Sequence, residues 1–121
     1  MIVQQTTIQR VAAAIAALMA ATGIALSAYA AHAALGAEGA RRIDGAALFL
    51  LVQGVAGSAM LPHASARGER GAILLQIAGC LLFSLSLVAK QWLGWPSTLA
   101  PAGGMAMIAG WLWLAVLRLR R

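Results

Sequence analysis

Four long stretches of apolar residues alternate with short polar segments along the chain. Each stretch is near the ~20 residues with which a helix crosses ~30 Å of hydrocarbon. Charges and turn-forming residues separate the stretches, as in Pro62–Arg70 (PHASARGER) and Lys90–Ser97 (KQWLGWPS). Inside a bilayer every backbone polar group must be satisfied within its own segment, so continuous apolar stretches become helices. The pattern predicts four helices, joined by loops of about nine residues, at residues 8–35, 45–62, 71–90 and 99–118.

The composition excludes an ordinary soluble domain. Of the 121 residues, 62% are hydrophobic and 10% are charged, whereas a soluble domain carries about 25% charged residues. The mean hydropathy is +0.85. Short loops leave no room for a separate lobe outside the membrane, so residues 1–121 are expected to form a single transmembrane domain. The predicted fold is an all-α integral membrane protein, a four-transmembrane-helix antiparallel bundle.

Lysine and arginine are distributed unequally between the two predicted sides. With four crossings, one side carries Arg10, Arg67, Arg70, Arg118, Arg120 and Arg121. The other side carries Arg41, Arg42 and Lys90, beside Glu38 and Asp44 in the predicted first loop. The positive-inside rule then predicts a multi-pass protein of the bacterial inner (plasma) membrane with both termini in the cytoplasm. We interpret these cations as determinants of topology and as contacts for membrane lipids rather than as a surface that binds nucleic acid.

The first apolar stretch has a second interpretation, as a cleaved secretory signal. Ala28-Tyr29-Ala30 and Ala31-His32-Ala33 both satisfy the small-x-small rule of a cleavage site. A signal has an apolar core of about 7–15 residues, whereas Val11–Ala28 is already long enough to span a membrane. We therefore expect this segment to be retained.

Small residues recur at helical spacing in each predicted helix, and we expect these stripes to face the bundle interior. Because lipid tails are as apolar as leucine, helices in a bilayer associate through close contact at small residues and through hydrogen bonds. The first helix carries the stripe Ala16, Ala20, Gly23, Ser27, Ala30 and Ala34. The fourth carries Gly103, Ala106 and Gly110.

Gln53 and Gln76 are the polar side chains placed furthest within the predicted spans. An unpaired amide there is costly, so each is expected to find a hydroxyl, a carbonyl, a water or the other glutamine. They act either as hydrogen-bonding links between helices or as the polar lining of a solute path. No acidic or basic residue lies in the middle of a predicted span, which counts against ion-coupled transport.

Metal and catalytic sites are not expected. His32 falls near the end of the first helix, and the other histidine, His63, falls in a loop on the opposite side, whereas zinc or copper requires three or four ligands. Cys80 lies alone in an apolar stretch and is interpreted as a packing residue. No nucleophile–base arrangement or phosphate loop is present in the sequence. We expect no enzyme activity and no cofactor.

Three segments resemble a known family. ALSAYAAHAAL in the first helix, GCLLFSLSL from Gly79 and APAGGMAMIAGW from Ala100 are similar, in order and spacing, to domain-of-unknown-function family 423, the YgdD-like small membrane proteins. The resemblance implies four helices and an uncleaved first segment, but no established activity. It places His32 at the family's histidine. Where members carry a histidine in the second helix, this chain has Gln53, so a role that needs paired imidazoles is lost.

The candidate intramembrane polar and packing residues are His32, Gln53, Gln76, Ser84, Ser86, Gly103, Gly104 and Gly110. Two functions fit this set. The first is a non-catalytic structural or interaction protein that packs with itself, as a homo-oligomer, or with a larger membrane complex. The second is a small channel or carrier for a small solute, formed as an oligomer.

Overall fold

The computed structural model describes residues 5–120, which form helices joined by short loops, with no strand among them. The helices are α1 (Thr7–His32), α2 (Gly36–Met60), α3 (Arg67–Leu93) and α4 (Ala100–Leu119), and a 3-10 turn at Leu61–His63 follows α2. All four α-helices are long and apolar enough to cross a membrane. The prediction of an all-α protein with four such helices is confirmed.

Neighbouring helices pack in opposite directions. Gly23 of α1 lies against Ala47 of α2, and Ala16 of α1 lies against Gly54 of α2. As the residue number increases along α1, the residue number of its contact on α2 therefore decreases, so the two helices are antiparallel. The same holds for α2 with α3, where Phe49 meets Cys80 and Arg42 meets Gln91, and for α3 with α4, where Gly79 lies against Gly103 and Gly71 against Trp113.

This alternation brings both ends of the described chain to one end of the bundle. We call it the terminal end; it carries the start of α1, the turn at Leu61–His63 and the end of α4. The opposite end, called the far end, carries the connections at residues 33–35 and 94–99.

α2 and α3 are longer than predicted, α1 ends three residues earlier, and all three connections are shorter. α2 begins at Gly36 rather than at residue 45, and α3 runs from Arg67 to Leu93 rather than from 71 to 90. The prediction that Glu38 and Asp44 lie in a loop is wrong: both are on the exposed side of α2, while Ile43 between them is fully buried. A hydropathy window locates only the apolar part of a helix, and it cannot detect an amphipathic first turn.

Glycines bring backbones into direct contact in two helix pairs. A Cβ atom built at Gly54 would lie 2.5 Å from the carbonyl oxygen of Ala16 on α1. A Cβ built at Gly103 would lie 2.5 Å from the amide nitrogen of Phe83 on α3. No larger residue fits at these positions, so α1 with α2 and α3 with α4 form two closely packed antiparallel pairs.

The buried face of α1 agrees only in part with the predicted stripe. The buried residues of α1 are Gln9, Ala12, Ala16, Met19 and Gly23. Ser27, expected in the interior, is exposed, and Ala34 lies beyond the end of α1. The face continues through Ala30 of the predicted stripe and through Leu26, which the stripe did not include; both are half-buried.

Gly103 and its neighbour Gly104 provide a matched test of these contacts. Gly103→Ala should lower the free energy of unfolding by about 1–3 kcal/mol, because the new methyl group meets backbone atoms of α3 that cannot move independently. Gly104→Ala should leave stability nearly unchanged, since its Cβ would meet only the Phe83 ring, at 3.9 Å. Thermal unfolding in detergent measures both, and equal effects would contradict the close contact at Gly103.

Candidate functional site

The best-satisfied buried polar side chain is Gln9, which the sequence analysis did not single out. Its Nε2 donates to the carbonyl oxygens of Leu61, at 2.9 Å, and Ala64, at 2.8 Å. Its Oε1 accepts from the backbone amide of Thr6, whose hydroxyl accepts from the amide of Gln9. This is a capping box, and the Thr-x-x-Gln pattern could have revealed the start of α1. Gln9 thus ties α1 to the connection between α2 and α3.

Gln53 and Gln76 are both buried, with 3% and 1% of their surface exposed. They lie at the same level of the α2/α3 interface, close to the pair Phe49 and Cys80. The Gln76 side chain also packs against α4, because a Cβ at Gly110 would lie 2.5 Å from its Cγ. Among residues 5–120 the Gln76 Nε2 has no hydrogen-bond acceptor. Of the partners expected for a buried glutamine, the described residues thus supply none to this atom.

Hydroxyl and thiol groups link α3 to the backbone of α2. The Cys80 thiol donates to the carbonyl oxygen of Phe49 at 3.3 Å, and the buried Ser84 hydroxyl donates to that of Ala46 at 3.5 Å, a long and weak bond. Ser86, a candidate on the same helix, is half-buried and lines a shallow groove beside Trp95 and Leu99.

The remaining candidates occupy different environments. Gly103 and Gly110 are buried in the α3/α4 contact, whereas Gly104 is half-buried. His32 is the last residue of α1 and is exposed at the far end, in a shallow recess beside Tyr29. His63 lies at the terminal end. The two imidazoles are therefore at opposite ends of the bundle and cannot share a ligand.

Ion pairs are found at both ends of the bundle. At the terminal end, Arg118 of α4 lies 3.1 Å from the carboxylate of Glu69 on α3, whose side chain is 7% exposed. At the far end, Arg42 of α2 donates to the Gln91 Oε1 on α3 at 2.6 Å and lies 3.3 Å from Glu38. Each end thus has an arginine that links neighbouring helices.

An apolar groove runs between α1 and α3, with Leu50 of α2 at its base. Its volume is about 320 Å³, and its walls include Leu18, Leu26 and Leu85. Tyr29 and Trp92, with ring centroids 5.6 Å apart, join α1 to α3 near the far end.

The interior of the described chain is held by close packing and by hydrogen bonds to backbone carbonyls. Within the described part of the chain, no three His, Cys, Asp or Glu residues lie close enough together to hold a metal ion. Searches of protein-family models, curated proteins and solved structures find no match to this chain. The functional interpretation therefore depends on geometry and chemistry.

Replacing Gln9 tests its role in holding the α2/α3 connection. Gln9→Met should cost about 1–3 kcal/mol of stability, because the buried carbonyl of Ala64 loses its side-chain donor. Amide hydrogen exchange at residues 61–66 should accelerate as this connection loosens. Gln5→Met, at an exposed position, is the control; unchanged exchange in both variants would contradict the proposed tie.

Replacing Gln76, unlike replacing Gln9, should not lower the free energy of unfolding. Gln76→Met removes an amide that has no acceptor for its Nε2 while keeping the length of the side chain. We expect stability to be unchanged or higher, because an apolar replacement no longer has to bury an unpaired donor. Thermal unfolding in detergent checks this, and a loss comparable to that of Gln9→Met would show that the amide is paired in the membrane.

Proposed function

We propose that this chain is a non-catalytic, multi-pass protein of the bacterial inner membrane that packs with itself or with a larger membrane complex. Four apolar helices support insertion into a bilayer. Cations at the terminal end support cytoplasmic termini under the positive-inside rule; those among residues 5–120 are Arg10, Arg67, Arg70, Arg118 and Arg120. Arg121, which was also counted on this side, lies outside the described residues.

The observation that carries this proposal is an exposed alanine face on α1. It consists of Ala14, Ala17, Ala21, Ala25 and Ala28, all exposed. At about 100° per residue, these positions lie roughly opposite the side of α1 that packs against α2. Lipid gives no reason to keep side chains small, whereas a second helix can approach closely only over small residues. The alanine face therefore suits a helix from another chain.

The corresponding face of α4 has the opposite character. At the same helical spacing, α4 exposes Met105, Ile108, Leu112, Val116 and Leu119. Large flexible side chains of this kind suit contact with lipid. Large exposed residues such as Leu18 and Ile24 flank the alanine face of α1, but the face itself is small. The corresponding face of α4 is bulky at every position, which favours α1 as the interaction surface.

A second function, a small channel or carrier formed by an oligomer, is favoured by Gln53 and Gln76. Two amides buried at one level of the bundle are the polar groups that a solute path would use. Membership of the YgdD-like family stays a proposal as well, and it supports neither function over the other.

Photo-crosslinking in native membranes tests the first function. A photoreactive residue at Leu18, which borders the alanine face, should give an adduct of one discrete mass, either with a second copy or with one partner. The same residue at Ile108 of α4, exposed to a similar degree, should give none. Ala21→Leu should abolish the Leu18 adduct, because the larger side chain separates the helices.

Ala115→Leu, at an exposed position of α4, is the matched control and should leave the adduct intact. Adducts of equal yield at both labelled positions, or at neither, would contradict a specific α1 interface. The second function is supported instead if no α1 adduct forms and the purified protein makes liposomes permeable to small solutes. In that case the Gln76→Met variant should not make them permeable.

A further inference from the structure

A basic recess lies at the far end of the bundle, between α2, α3 and the connection at residues 94–99. Its volume is about 400 Å³, and it opens to the side of the bundle. It is lined by Glu38, Arg41, Arg42, Gly45, Phe83, Leu87, Lys90 and Ser97. The alanine face of α1 contributes no residue to this recess.

Three cations surround the mouth of the basic recess. Arg42 is fixed in place by Gln91, and its side chain is only 17% exposed. Arg41 and Lys90 are exposed and free to turn toward a bound group. Glu38 also lines the recess, but its carboxylate is 84% exposed and 3.3 Å from Arg42, so it can move aside. The net charge around the recess is therefore positive.

The floor of the basic recess is apolar. Phe83 and Leu87 lie on α3 below Lys90, and Phe83 is seven residues, or about 10 Å, further from the far end. The Phe83 ring is fixed by an edge contact with Phe49, with centroids 5.1 Å apart. Gly45 leaves the floor open, because a Cβ there would meet nothing within 4 Å.

We infer that the basic recess binds the phosphate headgroup of an anionic phospholipid, with the start of an acyl chain against Phe83 and Leu87. Arginine matches phosphate oxygens through paired N–H donors. The order of the lining from charged to apolar, running from the helix end inward, is the order of groups in a lipid. A free phosphate ion would use the cations but not the apolar floor.

The inference also accounts for a feature of the charge distribution. Arg41, Arg42 and Lys90 are on the side from which the positive-inside rule removes cations. A lipid phosphate would neutralise these cations, whose position is otherwise unfavourable for an orientation with cytoplasmic termini. The inference requires that the helices span a bilayer, but it does not require a partner on α1.

Native mass spectrometry of the full chain in detergent provides the test. Phosphatidylglycerol should bind at least about tenfold more tightly than phosphatidylcholine of the same chain length. Arg41→Gln combined with Lys90→Gln should remove this preference. Gly45→Leu should weaken phosphatidylglycerol binding to a similar extent with all charges intact, because its side chain fills the floor of the recess without a clash.

The matched control is Arg67→Gln combined with Arg120→Gln, which removes the same charge at the terminal end and should leave binding unchanged. Inorganic phosphate, added at millimolar concentration, should not compete with the lipid. Equal affinity for both lipids, equal losses in the two double variants, or undiminished binding to Gly45→Leu would overturn the inference. Full competition by inorganic phosphate would show instead a site for a free anion, and would overturn the assignment to lipid.

Discussion

Direct contact between helix backbones is the constraint on which the architecture depends. Among hydrocarbon chains, burying a leucine contributes little, so helices are held by van der Waals contact and by interhelical hydrogen bonds. Gly54 makes such contact possible between α1 and α2, and Gly103 does the same between α3 and α4. The central α2/α3 interface differs, because Ile73, Ile77 and Cys80 fill it with side chains. The molecule is therefore two tight antiparallel pairs joined through bulkier packing.

The sequence could predict the helices and the glycine contacts, because both follow from local spacing. Glycines seven residues apart, such as Gly103 and Gly110, lie on one face of a helix, and this can be predicted without knowing which helix packs there. Helix ends were less predictable. The first turns of α2 carry Glu38 and Arg41 on the exposed side and Gly39 and Ile43 on the buried side, and a window that averages hydropathy interprets such turns as a loop.

The glutamines show why the candidate site could be predicted only in part. Gln9 and Gln76 are equally buried, yet the first has acceptors at Leu61 and Ala64 and the Nε2 of the second has none among the described residues. The acceptors of Gln9 lie more than fifty positions away, on carbonyls in and just after the 3-10 turn that follows α2. No local pattern encodes this contact, so the role of Gln9 in joining α1 to the α2/α3 connection could not be predicted from the sequence.

The alanine face of α1 and the basic recess lie on different parts of the surface. In the most apolar segment of each helix, 22% is buried in α1 and 44% in α3. α1 therefore has the largest fraction of its surface available for contact with other molecules. Its inner side packs against Gly54 and Gly57 of α2, and its exposed side combines the alanine face with large residues such as Leu18 and Ile24. The basic recess lies on α2, α3 and the connection to α4, and α1 contributes nothing to it. A protein on α1 and a lipid at the far end can therefore be bound together, because no side chain serves both surfaces.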